Sequence, residues 1–282
     1  MLVFNKKVDL NSHIDRFGGR NSTIGFVPTM GALHQGHLSL LQKSIKNNSI
    51  TVISIFVNPT QFNNTEDLKK YPRTLENDVE KIKTISDKIL VYAPTIDDIY
   101  EGKTVSQHYK FDGLENQMEG RFRPGHFDGV GTVVKRLFKI VKPTNAYFGE
   151  KDFQQLQIVK KLVEKEHLKV TIVGCPIFRE ANGLAMSSRN ERLTTEEKEK
   201  AAIIFKTIND AKQLFGTKSA KEVIEFVEKT FKNNPIFELE YFEIADEATL
   251  LSCKRKSKHK KYRAFIAVFV NKIRLIDTIS LN

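Results

Sequence analysis

Long apolar runs, paired cysteines and internal repeats are all missing from this chain of 282 residues. Each absence excludes something. The only two cysteines, Cys175 and Cys253, lie far apart and form no C-x-x-C pair. They argue against a structural zinc site and for a reducing, cytoplasmic setting. The amino-terminal stretch MLVFNKKVDL holds no long apolar segment and no small-residue cleavage site, so neither a signal peptide nor a membrane span is expected. Hydrophobic residues at 40% and charged residues at 28% exclude a disordered chain and describe an ordinary globular one.

The net charge of +11 raises nucleic-acid binding as a possibility. Its distribution weakens that reading. Seven of the ten residues from Lys254 to Arg263 are Lys or Arg and none is acidic; the remainder of the chain carries only +4. The run reads as a solvated loop between two strands. The rival is an RNA-contacting segment, whose affinity would fall steeply with salt.

Short β-branched runs alternate with helical patterns through the first two-thirds of the chain. Strands are predicted at Thr23–Val27, Thr51–Val57, Ile89–Tyr92, Ala146–Phe148 and Val170–Val173. Leu38, Leu40, Leu41 and Ile45 sit at helical spacing, and further helices are predicted at Leu75–Ile85, Phe127–Val141 and Asp152–Glu166. Repeated β-then-α units imply an α/β fold, a Rossmann-like parallel sheet covered on both faces, with ligands beyond the carboxyl ends of the strands. After residue 177 the pattern changes. Helices at Thr195–Phe215 and Ala220–Lys232 precede strands at Leu239–Ile244, Ala264–Val270 and Ile273–Thr278, as in a smaller α+β domain. Two domains are therefore expected, 1–177 and 178–282.

The segment Pro28-Thr29-Met30-Gly31-Ala32-Leu33-His34-Gln35-Gly36-His37 follows a buried strand and opens a helix. Its glycines allow close backbone approach, and the free amides and positive dipole end of the new helix suit a phosphate. His34 and His37 can both face that phosphate, as neutral donors or as protonated cations. Two histidines at this spacing could also chelate a metal, but no clear third ligand is nearby. Three more segments stand out, the first two directly after predicted strands and the third a compact polar loop. Asn58 and Gln61 offer amides that read hydroxyls and carboxylates. Gly149, Glu150, Lys151 and Asp152 combine backbone access with a mobile positive charge, although Asp152 could simply cap a helix. Met186, Ser187, Ser188 and Arg189 can embrace a triphosphate. The stretch from Glu119 to Phe127 is either a closing loop whose arginines shield phosphates or a plain surface loop.

PTMGALHQGH resembles the HIGH signature of nucleotidyl transferases, and specifically that of the pantothenate synthetase (pantoate–β-alanine ligase) family. FVNPTQF at 56–62, FGEKDFQQL at 148–156 and MSSRN at 186–190 agree with the same family in order and spacing. The resemblance implies ATP-dependent condensation of (R)-pantoate with β-alanine through a pantoyl adenylate, releasing AMP and pyrophosphate, within coenzyme A biosynthesis. It implies that His34, His37, Lys151, Ser187, Ser188 and Arg189 stabilise phosphate charge. It places ATP against Met30, Gly31, Gly149 to Asp152 and Met186 to Arg189, with Phe178 at a backbone contact to adenine. Asn58, Gln61, Gln155 and Arg123 would serve pantoate and β-alanine. Mg²⁺ would arrive on ATP's phosphates, with Asp152 near the ribose or the metal. A homodimer is implied as well. The rival enzymes are a plain nucleotidyl transferase, which needs no glutamine pair facing a hydroxy acid, and a small relative of the aminoacyl-tRNA synthetases, for which little chain remains to bind tRNA.

Overall fold

The computed structural model describes residues 1–19, 21–232 and 234–282. Its first sheet has six parallel strands: β1 (Leu2–Phe4), β2 (Ile24–Thr29), β3 (Ile50–Ile55), β4 (Leu90–Tyr92), β5 (Asn145–Gly149) and β6 (Thr171–Cys175). Their order across the sheet is β1-β4-β3-β2-β5-β6. The connecting helices are α1 (Lys7–Phe17), α2 (Gln35–Asn47), α3 (Thr65–Lys70), α4 (Leu75–Lys83), α5 (Ile96–Tyr100), α6 (Met118–Phe122), α7 (His126–Val141) and α8 (Phe153–Lys165). Successive strand residues point to opposite faces. Phe26, Val52 and Ala146 therefore join the core beneath α7 and α8, while Val27, Ile53 and Tyr147 join the core beneath α2 and α4.

Chain order reverses between β2 and β5, which makes their boundary the topological switch point. Strand carboxyl ends at such a point leave a crevice with no helix crossing it. Here β2 delivers the histidine turn, β5 the Gly149–Asp152 segment, β3 the Asn58–Gln61 segment and β6 the approach to Phe178.

The remaining chain forms α9 (Thr195–Phe215), α10 (Ala220–Lys232) and an antiparallel sheet of β7 (Phe237–Asp246), β8 (Tyr262–Val270) and β9 (Ile273–Ser280). Ala264, Ile266, Val268 and Val270 of β8 pack into the core that α9 and α10 build, whereas Phe265 and Ala267 pack into the core of the first sheet's helices. The second sheet is thus covered on both sides. Among the described residues no helix is long and apolar enough to cross a membrane.

Several elements differ from the sequence-based expectation. Pro28 and Thr29 belong to β2 rather than to the turn, because β2 pairs with β5 only at Gly25 and Phe26, so Pro28 lies beyond that ladder. The 254–263 run is a loop only to Lys261. Tyr262 and Arg263 open β8, and Arg263 is buried between Glu247 and Glu150 at 2.9 and 3.3 Å. Lys254 to Lys261 are exposed. The edge strand β1 and helices α1, α3, α5 and α6 were not anticipated.

Candidate functional site

The turn after β2 is built by a residue far away in sequence. Asp78 of α4 is fully buried and accepts the backbone N–H of Ala32 at 2.9 Å and of Leu33 at 2.7 Å. Lys81, one turn later, donates to the Leu33 carbonyl at 2.6 Å. Gly31, at φ +85°, makes the reversal that lets these amides face the carboxylate. Asp78→Ala would leave two buried N–H groups without an acceptor. A stability loss of about 1–3 kcal/mol for each is expected in denaturant titrations. Asp78→Asn keeps one acceptor oxygen and should lose less; an alanine variant as stable as the parent would show that the turn holds itself.

His34 takes the N-cap position of α2 and His37 follows one turn on, with ring centroids 4.0 Å apart. Burial lowers both pKa values. For His34 the neighbouring His37, Lys151 and Lys81 push the same way, to about 2. For His37 burial with Lys151 and Lys81 gives about 4. Both rings are therefore neutral near pH 7 in the protein alone. The backbone N–H of His34 donates to His37 Nδ1 at 3.3 Å. A neutral ring that accepts at Nδ1 carries its proton on Nε2, so His37 is left a donor there. Among the described residues His34 Nδ1 is buried without a hydrogen-bond partner, so it is open to a donor entering the cleft.

One cleft at the switch point is lined by Met30, His34 and His37, by Asn58 and Gln61, by Gly149, Lys151, Asp152 and Gln155, and by Phe178 with Met186 to Arg189. The four sequence segments thus meet in one place. Three of the named residues stay outside. Gly31 serves the turn; Glu150 turns away to Arg263. Arg123 stands behind Gln61, donating to its backbone carbonyl at 3.4 Å and lying 3.5 Å from Glu119.

Others are inside but already engaged. Asn58 spends its whole capacity within the protein. Nδ2 donates to Gln61 Oε1 at 3.1 Å and to the Gly129 carbonyl at 3.2 Å, while Oδ1 accepts from Tyr100 at 2.6 Å and Thr60 at 3.2 Å. Its Nδ2 bond orients the Gln61 amide. Ser188 donates to the Ala32 carbonyl at 3.1 Å, joining its loop to the histidine turn. Ser187 accepts the Arg189 N–H at 3.3 Å. Arg189 pairs with Asp67 of α3 at 2.8 Å, and Arg192 reaches the other oxygen of that carboxylate at 3.4 Å. Asp152 occupies the N-cap position of α8 but makes no capping bond, and its side chain is half exposed.

Sequence reasoning missed the wall. Val130, Val133, Val134 and Leu137 of α7, with Phe56, give the cleft an apolar side, and Tyr71 closes another. The valines belong to a legible helical stripe, but nothing local tells that the stripe reaches a cleft. Asp78 left a trace: it stands four residues before Ile82, an acid on the buried face of a helix. Among the described residues no group of three or more His, Cys, Asp or Glu is placed to hold a metal, so a chelating histidine pair finds no third ligand.

The chain is similar to known proteins along nearly its whole length. A family model described as Pantoate-beta-alanine ligase matches residues 2–280. A pantothenate synthetase of Flavobacterium psychrophilum is 68% identical over 281 residues, with all of both chains covered. The crystal structure of pantothenate synthetase from Thermus thermophilus superposes with a TM-score of 0.89 at 36% identity, covering 100% of this chain and 99% of the other. Pantoate-beta-alanine ligase from Francisella tularensis, solved with Beta-gamma ATP and Beta-alanine, gives 0.80 at 34% identity over 100% and 98%. Likeness of this extent in sequence and in fold leaves one conclusion: the protein belongs to the pantoate–β-alanine ligase family.

Proposed function

We propose that the switch-point cleft carries out the family's reaction, the ATP-dependent joining of (R)-pantoate to β-alanine, with the following division of labour. ATP lies across the turn before α2 with its phosphates toward His34, His37 and Lys151, and with Met186, Ser187, Ser188 and Arg189 covering them. Phe178 offers backbone to the adenine. A pantoate oxygen attacks the α-phosphorus as the bond to the β-phosphate oxygen breaks, giving pantoyl adenylate and pyrophosphate. The unprotonated amine of β-alanine then attacks the acyl carbon, AMP leaves with the bridging oxygen, and the nitrogen sheds a proton. The protein supplies position and charge stabilisation rather than a covalent intermediate.

The observation that carries this reading is the pairing of two kinds of surface. Gln61 and Gln155 line the same cleft as the valine face of α7. Amides and an apolar wall together suit a small acid that bears hydroxyls and a dimethyl carbon. Asp152 is the one carboxylate lining the cleft among the described residues. Mg²⁺ arriving on the phosphates would find that carboxylate at hand and would supply charge neutralisation. Residues 178–282 would act as a closing unit that brings the Met186–Arg189 loop down on ATP. A homodimer follows the family, and two free thiols suit the cytoplasm.

Supplying ATP, pantoate and β-alanine should yield AMP and pantothenate. Without β-alanine, labelled pyrophosphate should still exchange into ATP whenever pantoate is present. Exchange that ignores pantoate would point to a plain nucleotidyl transferase.

A further inference from the structure

The segment Glu119–Phe127 has a function that Arg123 alone does not explain. His126 opens α7, is 6% exposed, and places Nδ1 2.8 Å from the backbone carbonyl oxygen of Gln61. A carbonyl only accepts, so Nδ1 carries the proton and donates. Gln61 ends the short helix Pro59–Gln61, and that helix lies directly on α7. A Cβ built on Gly129 would come within 2.4 Å of the Thr60 carbonyl oxygen and 2.7 Å of Gln61 Cα, so only glycine permits the approach. The start of the turn is fixed too, by the Asn58 bond to the Gly129 carbonyl. Its end is fixed by His126, with Arg123 a longer second donor at 3.4 Å. The same helix presents Val130, Val133 and Val134 to the cleft.

We propose that His126 is a positioning residue for the hydroxy acid: its bond to the Gln61 carbonyl sets the glutamine amide relative to the valine wall. This rests on the reading of Gln61 as the pantoate amide. The effect is geometric, and small misplacements of a binding group are costly: about 1 Å can cost ~10²-fold. Losing this bond should therefore weaken pantoate selectively. The bond itself ends on the Gln61 backbone, while the ring also borders a smaller cavity shared with Lys151 and Asp152.

Steady-state kinetics on five variants of the full enzyme, four single and one double, test it. His126→Ala should raise the KM for pantoate about tenfold and leave that for ATP within about twofold. His126→Asn, whose amide nitrogen falls where Nδ1 lay, should recover to within about threefold of the parent; His126→Gln, with its nitrogen one bond further out, should not. Gln61→Ala should raise the pantoate KM, and adding His126→Ala to it should change little, since the two act through one contact. An equal rise in the ATP KM, an Asn variant no better than Gln, or additive effects in the double variant would overturn the proposal. Should His126→Ala fail to fold, the Asn and Gln variants decide alone. A Gln61 effect without a His126 effect removes only this inference, whereas an unchanged pantoate KM in Gln61→Ala removes the underlying assignment and this inference with it.

Discussion

Replacing His37 with alanine is expected to slow pantoyl-adenylate formation by at least ~10²-fold, the scale for losing one donor aimed at developing charge. The measurement is pantoate-dependent exchange of pyrophosphate into ATP. Three observations make the ring a donor rather than a cation. It is neutral, because burial and the charges of Lys151 and Lys81 hold its pKa at about 4. Its proton is on Nε2, because Nδ1 is taken by the His34 N–H. Its position is fixed, because the turn beneath it hangs on Asp78. His37→Gln places an amide N–H near the Nε2 position and should recover part of the loss. The same pKa bears on pH. The neutral ring is present above about pH 4 and is lost as pH falls through it, so His37 should add no step to the rate profile near 6.5. Its folded pKa lies below the ordinary value of 6.5, so the unfolded chain takes up the proton first. The ring's contribution to stability is therefore full above 6.5 and declines as pH falls from there toward 4. Near-normal exchange in the alanine variant would remove His37 from the chemistry.

What the sequence could and could not reveal divides along physical lines. The parallel sheet was legible because β2 and β3 are buried on both faces and read as short, largely apolar β-branched runs. Strand β1 escaped because it is three residues at an edge, with Leu2 and Val3 exposed. Helix α1 escaped for a similar reason: Val8 and Phe17 face solvent and blur its stripe. Helices α3 and α5 are short pieces started by Asn64 and Thr95, whose side chains accept the first free amides, and no periodicity can build up in five or six residues. The cleft segments were legible because each is a continuous stretch, three of them directly after a strand and Met186–Arg189 on the longer loop after β6. Asp78, Lys81 and His126 were not, since each acts on a stretch distant in sequence. Arg263 was hidden by its neighbours. In a run of like charges a single arginine reads as solvated, yet it stacks over Phe153 at 4.0 Å and meets two carboxylates.

Removing the Arg274 guanidinium should cost about 3–5 kcal/mol of stability at pH 7, the range for stripping a buried charge of its partner. Arg274 of β9 holds Glu119 of α6 through two bonds, 2.9 and 2.6 Å, and also donates from Nε to Glu240 at 2.9 Å. Tyr241 of β7 gives Glu119 a third bond at 2.7 Å. This cluster joins the second sheet to the segment that leads into α7, so its loss is felt by both halves of the molecule. An exposed pair would contribute only about 0–1 kcal/mol; this carboxylate is only 8% exposed. Burial alone would raise its pKa, but the bonds and charge of Arg274, with Arg123 and Tyr241, hold it down at about 2. A carboxyl whose folded pKa is depressed stabilises the fold above its ordinary value of 4.5 and ceases to do so as pH falls toward 2. In Arg274→Ala, burial acts unopposed by that partner, and protonation of Glu119 relieves the variant. The difference between parent and variant should therefore shrink between pH 7 and pH 3 in paired urea titrations. Glu119→Gln removes the buried charge while keeping the shape and leaves Arg274 its bond to Glu240, so it should cost less than Arg274→Ala. A penalty that grows on acidification, or one below about 1 kcal/mol at pH 7, would mean that the Arg274–Glu119 cluster does little to hold the two sheets together.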